Sequence, residues 1–313
     1  MNETLRTMDE VRLNFNPDGL LLLNITLAFI MFGVAMGIKI EHFKELFRNP
    51  KSALVGIFSQ FLVLPALTFL LVWILKPTPT VALGMILVAA CPGGNISNFI
   101  SHLAKANTAL SVSLTAFATL AAIFMTPLNF EIWGGLYNAT SPAFRPIEID
   151  AKQMFQTVFI ILGLPLIAGI WFAHKLPKIT KKISPAIKII SIVIFLAYVL
   201  IALALNYEHF IKYIHIVALL VLVHNALALV TGYSLSSLFK LKGSVRRSIT
   251  IETGIQNSGL ALVLIFNPKV FPVELNLGGM AIIAAWWGVW HIISGLVLGY
   301  FWSRRVDAKS LVQ

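Results

Sequence analysis

Residues 251–261 read IETGIQNSGLA, a run that places one carboxylate, two amides, two hydroxyls and two glycines inside an otherwise apolar stretch. A second interruption, CPGGNISN at 91–98, has the same character. In hydrocarbon every backbone group must be satisfied within the protein, so such interruptions mark helices that break where they line a cavity. Between them lies GGLYNATSPAFRPIEID at 134–150, the longest break between apolar runs, close to the middle of the chain. One interruption in each half, in corresponding positions, predicts inverted repeats and a site at the bilayer midplane.

The rest of the sequence agrees with a membrane setting. Of 313 residues 58% are hydrophobic and only 12% charged, with a mean hydropathy of +0.85. Soluble domains carry about 25% charged residues. Apolar stretches fall at 19–38, 53–75, 80–104, 107–133, 153–173, 187–206, 213–239, 248–267 and 276–302. Each is long enough to cross a bilayer, which takes about 20 residues. Strands cannot satisfy their backbone alone in lipid, so the expected class is an all-α polytopic membrane protein with nine transmembrane helices. The expected layout is an extracellular tail at 1–17, a transmembrane domain at 18–303 and a cytoplasmic tail at 304–313.

The chain carries 24 Lys+Arg against 13 Asp+Glu, a net charge of +11. In a soluble protein that excess would point to nucleic acid. Here it is distributed by side: 17 of the 24 basic residues fall in alternate loops, around 39–51, 105, 175–188, 240–247 and 304–309. The positive-inside rule makes those loops cytoplasmic, so the N-terminus lies outside and the C-terminus inside a cell membrane. No nucleic-acid partner is expected. Residues 1–17 contain no apolar run and do not read as a signal peptide. A lone cysteine, Cys91, excludes an intrachain disulfide and a thiolate metal cluster.

Glu252 is the only carboxylate that falls well inside a span. An ionised residue at the centre of a membrane helix costs about 2.5–3.5 kcal/mol on the insertion scale, so it calls for a compensating cation or proton. The alternative is an interfacial position, since Arg246 and Arg247 lie one to two turns away. Pro92 removes a backbone donor, and Gly93 and Gly94 loosen the helix, which frees carbonyls at the break. Ser97 and Asn98 follow at once, Ser111 and Thr115 share a helix face in the next span, and Gln60 sits within the second. Amide, hydroxyl, carbonyl and carboxylate oxygens with no thiolate form a hard-cation environment, with sodium the obvious candidate. Each residue alone could equally be helix glue. His224 and Asn225 read as helix packing, and His291 as either a substrate donor or a histidine bonded to a neighbouring helix.

CPGGNISN at 91–98, ALSVSLTAFATL at 109–120, IETGIQNSGLA at 251–261 and WHIISG at 290–295 resemble the bile acid:sodium symporter family, over nearly all of 19–303. The resemblance implies a core domain (53–133 and 213–303) moving against a panel domain (18–38 and 150–206), in the nine-helix form, with two broken helices that cross at the midplane beside two sodium sites. One site would use Ser97, Asn98, Ser111, Thr115 and Glu252, the other Gln60, Glu252, Gln256 and the carbonyls of Thr253 and Ile255. The substrate region would lie by Asn95, Asn257, His291 and Ile292 in the cleft between core and panel. Asn95 and Ile292 depart from the Thr and Asn that relatives often carry, which bears on substrate identity rather than on sodium.

These readings converge on a secondary active transporter, not an enzyme, that uses sodium to import an amphipathic organic anion such as a bile acid or a related small organic acid. Alternatives are a metalloid or other anion transporter with Cys91 as thiolate ligand, and proton coupling at Glu252. The chain has no phosphate-cradling G-x-x-x-x-G-K-[ST], which argues against an ATP-driven machine. It also lacks H-E-x-x-H and an intramembrane aspartate pair, which leaves little basis for an intramembrane hydrolase.

Overall fold

The computed structural model describes residues 17–140, 150–205, 207–272 and 275–310. Among these the chain is helical throughout, with a single one-residue antiparallel bridge in place of any strand. In chain order the helices are α1 (Pro17–Ala35), α2 (Ile40–Arg48), α3 (Pro50–Leu75), α4 (Pro79–Ala90), α5 (Ile96–Leu103) and α6 (Thr108–Thr140). They continue with α7 (151–175), α8 (Pro177–Leu205), α9 (Tyr207–Leu238), α10 (Gly243–Gly254), α11 (Ser258–Ile265) and α12 (Gly278–Ser310).

Five of them, α3, α6, α7, α9 and α12, are long and apolar enough to cross a membrane, and α1 with α2, bent by 65°, adds a sixth span if the pair is counted as one. Large apolar side chains such as Leu54, Trp73, Phe124, Trp171 and Val297 stand exposed on their outer surfaces. A water-soluble protein could not carry so much exposed apolar surface without association; in a bilayer these side chains meet acyl chains.

Local chemistry sets the helix ends and bends. Prolines open α3, α4 and α8 at the first turn, where the missing N–H has no intrahelical partner to lose. Asn107 accepts from the Leu110 N–H at 3.1 Å ahead of α6, and Asp150 from the Gln153 N–H at 3.0 Å ahead of α7. Inside α3 and α7 a proline follows one π-helical turn, Ser59–Val63 before Pro65 and Phe159–Gly163 before Pro165. Proline cannot complete the ordinary ladder, and a widened turn is one way a helix absorbs the lost bond. In α3 that turn carries Ser59 and Gln60, both buried.

Helix α1 packs against α7 and α8, whereas α9, α10 and α12 pack with α3, α4 and α6. The main apolar cluster runs through α4, α11 and the first half of α12, where Trp287 is fully buried. Two helices extend beyond the apolar stretches that mark them: α6 continues past 133 to Thr140, and α12 past 302 to Ser310. Charged and polar residues sustain a helix outside the apolar zone once it is nucleated inside it, so hydropathy marks the apolar part and not the helix end. Residues 1–16 of the expected tail at 1–17, 141–149 of the break at 134–150 and 311–313 of the expected C-terminal tail lie outside the described residues.

Candidate functional site

The two interruptions meet. Gly93 pairs with Gln256 in the antiparallel bridge, the Gly94 N–H donates to the Ile255 carbonyl at 2.7 Å, and the Asn257 N–H donates to the Pro92 carbonyl at 2.8 Å. Helix α4 ends at the turn before Pro92 and α10 ends at Gly254, so each broken helix supplies the backbone partners that the other lost. Gly93 leaves room there for the Glu252 carboxylate. A Cβ at this position would collide with Glu252 Oε1 and stand 3.2 Å from Gln60 Nε2.

Glu252, 2% exposed on the last turn of α10, points at this crossing. Its Oε2 accepts from the Ser97 hydroxyl at 2.7 Å and from the Ser111 hydroxyl at 3.3 Å, and its Oε1 accepts from the Thr115 hydroxyl at 2.8 Å. Asn98 Oδ1 lies 3.0 Å from the Ser111 hydroxyl and 3.2 Å from that of Thr115, which is itself 2.9 Å from the Ser111 carbonyl. Three hydroxyl hydrogens thus serve two carboxylate oxygens, an amide oxygen and a carbonyl. Oxygen lone pairs outnumber donors in a buried space, a condition that a hard cation relieves. Apart from the one carboxylate, the oxygens gathered here are neutral, from three hydroxyls, one amide and one backbone carbonyl.

On the other side of Glu252 the arrangement is looser. The Gln256 amide nitrogen donates to the Thr253 carbonyl at 2.8 Å while its Oε1 has no partner, and Gln60 Nε2, also buried, has none. An amide can turn about its last bond to present oxygen in place of nitrogen, so each side chain can offer an oxygen as ligand. The Thr253 hydroxyl shares a 2.9 Å hydrogen bond with Ser59, which ties the π turn of α3 to the end of α10. The Ile255 carbonyl is already engaged by Gly94, and a carbonyl oxygen has a second lone pair.

Of the expected substrate residues, Asn95 is exposed ahead of α5, Asn257 is half-buried and caps α11 by accepting from the Leu260 N–H at 3.1 Å, His291 is buried on α12, and Ile292 is half-buried beside it. No hydrogen bond among the described residues links these four to one another. Cys91 is buried in the main apolar cluster, the surroundings of a small apolar filler.

Sequence reasoning passed over Ser59, which adjoins Gln60, and gave Asn225 to helix packing. Asn225, 1% exposed, donates to the Gly254 carbonyl at 2.8 Å and accepts from the Ser294 hydroxyl at 2.6 Å. Its neighbour His224 bonds Thr68 at 2.9 Å and sets its ring edge-on to Trp287 at 4.5 Å, which does fit packing. A polar pair in the middle of an apolar span was the available signal.

Comparison with known proteins adds an independent line. The model of the Sodium Bile acid symporter family matches residues 24–213. The uncharacterized sodium-dependent transporter YocS of Bacillus subtilis is 32% identical over 290 residues, 92% of this chain and 84% of that protein. The probable chloroplastic sodium/metabolite cotransporter BASS2 of Oryza sativa subsp. japonica is 30% identical, with 91% of this chain and 64% of the relative covered. The corresponding BASS1 protein of Arabidopsis thaliana is 29% identical, with 91% and 67% covered.

Proposed function

The chain belongs to the sodium bile acid symporter family, and from that premise we propose that it is a sodium-coupled symporter that imports an amphipathic organic anion. Its relatives are transporters and not enzymes, and its helices are those of a multi-pass membrane protein. The observation that carries the reading is the convergence of five oxygen-bearing side chains, Ser97, Asn98, Ser111, Thr115 and Glu252, from α5, α6 and α10 at the crossing of two broken helices.

In this reading those five residues bind one sodium ion as co-transported cargo. A second ion is held by Gln60, Glu252, Gln256 and the carbonyls of Thr253 and Ile255, and the two orphaned amide atoms support it. Glu252 bridges both, so its single charge offsets part of two cations. Bound sodium holds the α5 and α10 ends in fixed relation at the crossing, and the anion binds beside Asn95, Asn257, His291 and Ile292.

Counting each interrupted helix pair, α4 with α5 and α10 with α11, as one crossing, and including α8, gives nine. The packing of α1 with α7 and α8 supports a panel that rocks against a core made of the remaining helices. The basic loops are cytoplasmic, with the N-terminus outside and the C-terminus inside the cell membrane.

Uptake into proteoliposomes of a panel of bile acids and small organic acids, with an inward gradient of sodium or of choline, tests the proposal. Sodium-dependent uptake by the wild type, abolished in Glu252→Gln, is the expected result. Equal uptake in sodium and choline, with Glu252→Gln fully active, would refute it. Uptake that follows a proton gradient in sodium-free buffer would assign the coupling to protonation of Glu252 and also refute it.

A further inference from the structure

We infer that Asn225 and Ser294 are positioning residues that carry sodium occupancy at the break of α10 to His291 on α12. The inference rests on the proposed sodium and substrate sites and supplies the link between them.

Gly254 is the last residue of α10, flanked by Thr253 and Ile255, whose carbonyls face the second ion in the proposed function. Its own carbonyl does not point there; it accepts from the Asn225 side-chain amide at 2.8 Å. The same amide accepts, through its oxygen, from the Ser294 hydroxyl at 2.6 Å. That hydroxyl also lies 3.2 Å from the His291 carbonyl, one turn earlier on α12. One planar amide thus holds the end of the broken helix with its nitrogen and α12 with its oxygen.

Three features make this a linkage rather than ordinary helix glue. The amide is planar, so a shift of the Gly254 carbonyl that rotates it moves both of its ends together. Helix α9, which carries Asn225, lies so close against α10 that a Cβ on Gly232 would stand 2.8 Å from the Thr250 Cα, so α9 gives no slack on its side. His291 Nδ1 is buried without a hydrogen-bond partner. The backbone of α12 at 291–294, where the Ser294 hydroxyl engages, therefore has a large part in placing that ring. Outer groups of this kind orient the residues that touch ligand without touching it themselves.

The test uses sodium alone, with no substrate. Ile292→Cys in a Cys91→Ala background places a thiol beside His291, and its rate of maleimide labelling is measured in sodium and in choline, alongside thermal stability in each. In that background sodium should raise the melting temperature and change the labelling rate by about fivefold or more, the lower end of ordinary coupling between sites. Adding Ser294→Ala or Asn225→Leu should abolish the labelling change while the stabilisation by sodium persists, and Ser294→Thr, which keeps the hydroxyl, should preserve both. If Asn225→Leu does not fold, Ser294→Ala decides alone. A labelling change that survives in Ser294→Ala, or its absence in the background despite stabilisation by sodium, overturns the linkage and leaves the sodium sites standing. No stabilisation by sodium in the background removes both readings.

Discussion

Thr115→Val separates an ion ligand from a structural hydroxyl more cleanly than any other substitution at the crossing. Thr115 is 2% exposed, and its hydroxyl lies 2.8 Å from Glu252 Oε1, 2.9 Å from the Ser111 carbonyl, 3.2 Å from Asn98 Oδ1 and 3.3 Å from the Ser97 hydroxyl. Valine keeps the shape and removes both the donor to the carboxylate and the lone pairs offered to the ion. A hydrogen bond to a charged group is worth about 1.5–3 kcal/mol. At about 1.4 kcal/mol per decade, loss of a ligand of that strength weakens sodium binding roughly 10- to 100-fold. Sodium at about 100 times its dissociation constant stabilises the wild type by about 2.7 kcal/mol; a tenfold loss of affinity cuts that to about 1.4 kcal/mol at the same concentration. The assay is thermal unfolding of purified protein across a sodium titration, with choline chloride holding ionic strength constant. Thr119→Val is the control, because that hydroxyl donates to the Thr115 carbonyl within its own helix at 2.7 Å. It should lower the baseline without moving the sodium midpoint. A wild-type midpoint in Thr115→Val would refute the coordination argument.

Asn257→Ala should impair uptake and lower the sodium-free melting temperature through loss of the α11 cap, worth about 1 kcal/mol, yet leave the sodium midpoint of the thermal titration unchanged. Gly93→Ala should abolish stabilisation by sodium in the same titration, because the added methyl would displace the Glu252 carboxylate. Gly135→Ala on α6 meets nothing within 4 Å and should raise the melting temperature, since alanine is favoured over glycine inside a helix by up to about 1 kcal/mol. For orientation, in a Cys91→Ala background Thr140→Cys should be labelled from outside intact cells by an impermeant maleimide and Asn49→Cys should not; the reverse pattern would overturn the topology.

The sequence by itself determined the class of the protein and the position of its breaks. Apolar runs of bilayer length leave helices as the only economical way to satisfy the backbone. Pro92 with Gly93 and Gly94, and the polar run from Glu252 to Ser258, announce locally that those helices cannot continue. Ser97, Asn98, Ser111 and Thr115 could be nominated as oxygen donors for the same reason: their polarity inside an apolar segment is visible without a partner. Which groups meet was decided only by the tertiary structure. The pairing of Gly93 with Gln256, the approach of Ser97 to Glu252 across 155 positions of chain, and the bond from Ser59 to Thr253 across 194 arise from helices packing side by side. Periodicity along one helix carries no information about such neighbours. Asn225 shows the difference most plainly: in sequence it is one amide in an apolar span, as consistent with glue as with function. Only the packing of α9 between α10 and α12 gives its nitrogen the Gly254 carbonyl and its oxygen the Ser294 hydroxyl, because a side chain's role in a membrane interior is set by the polar groups that neighbouring helices bring within reach.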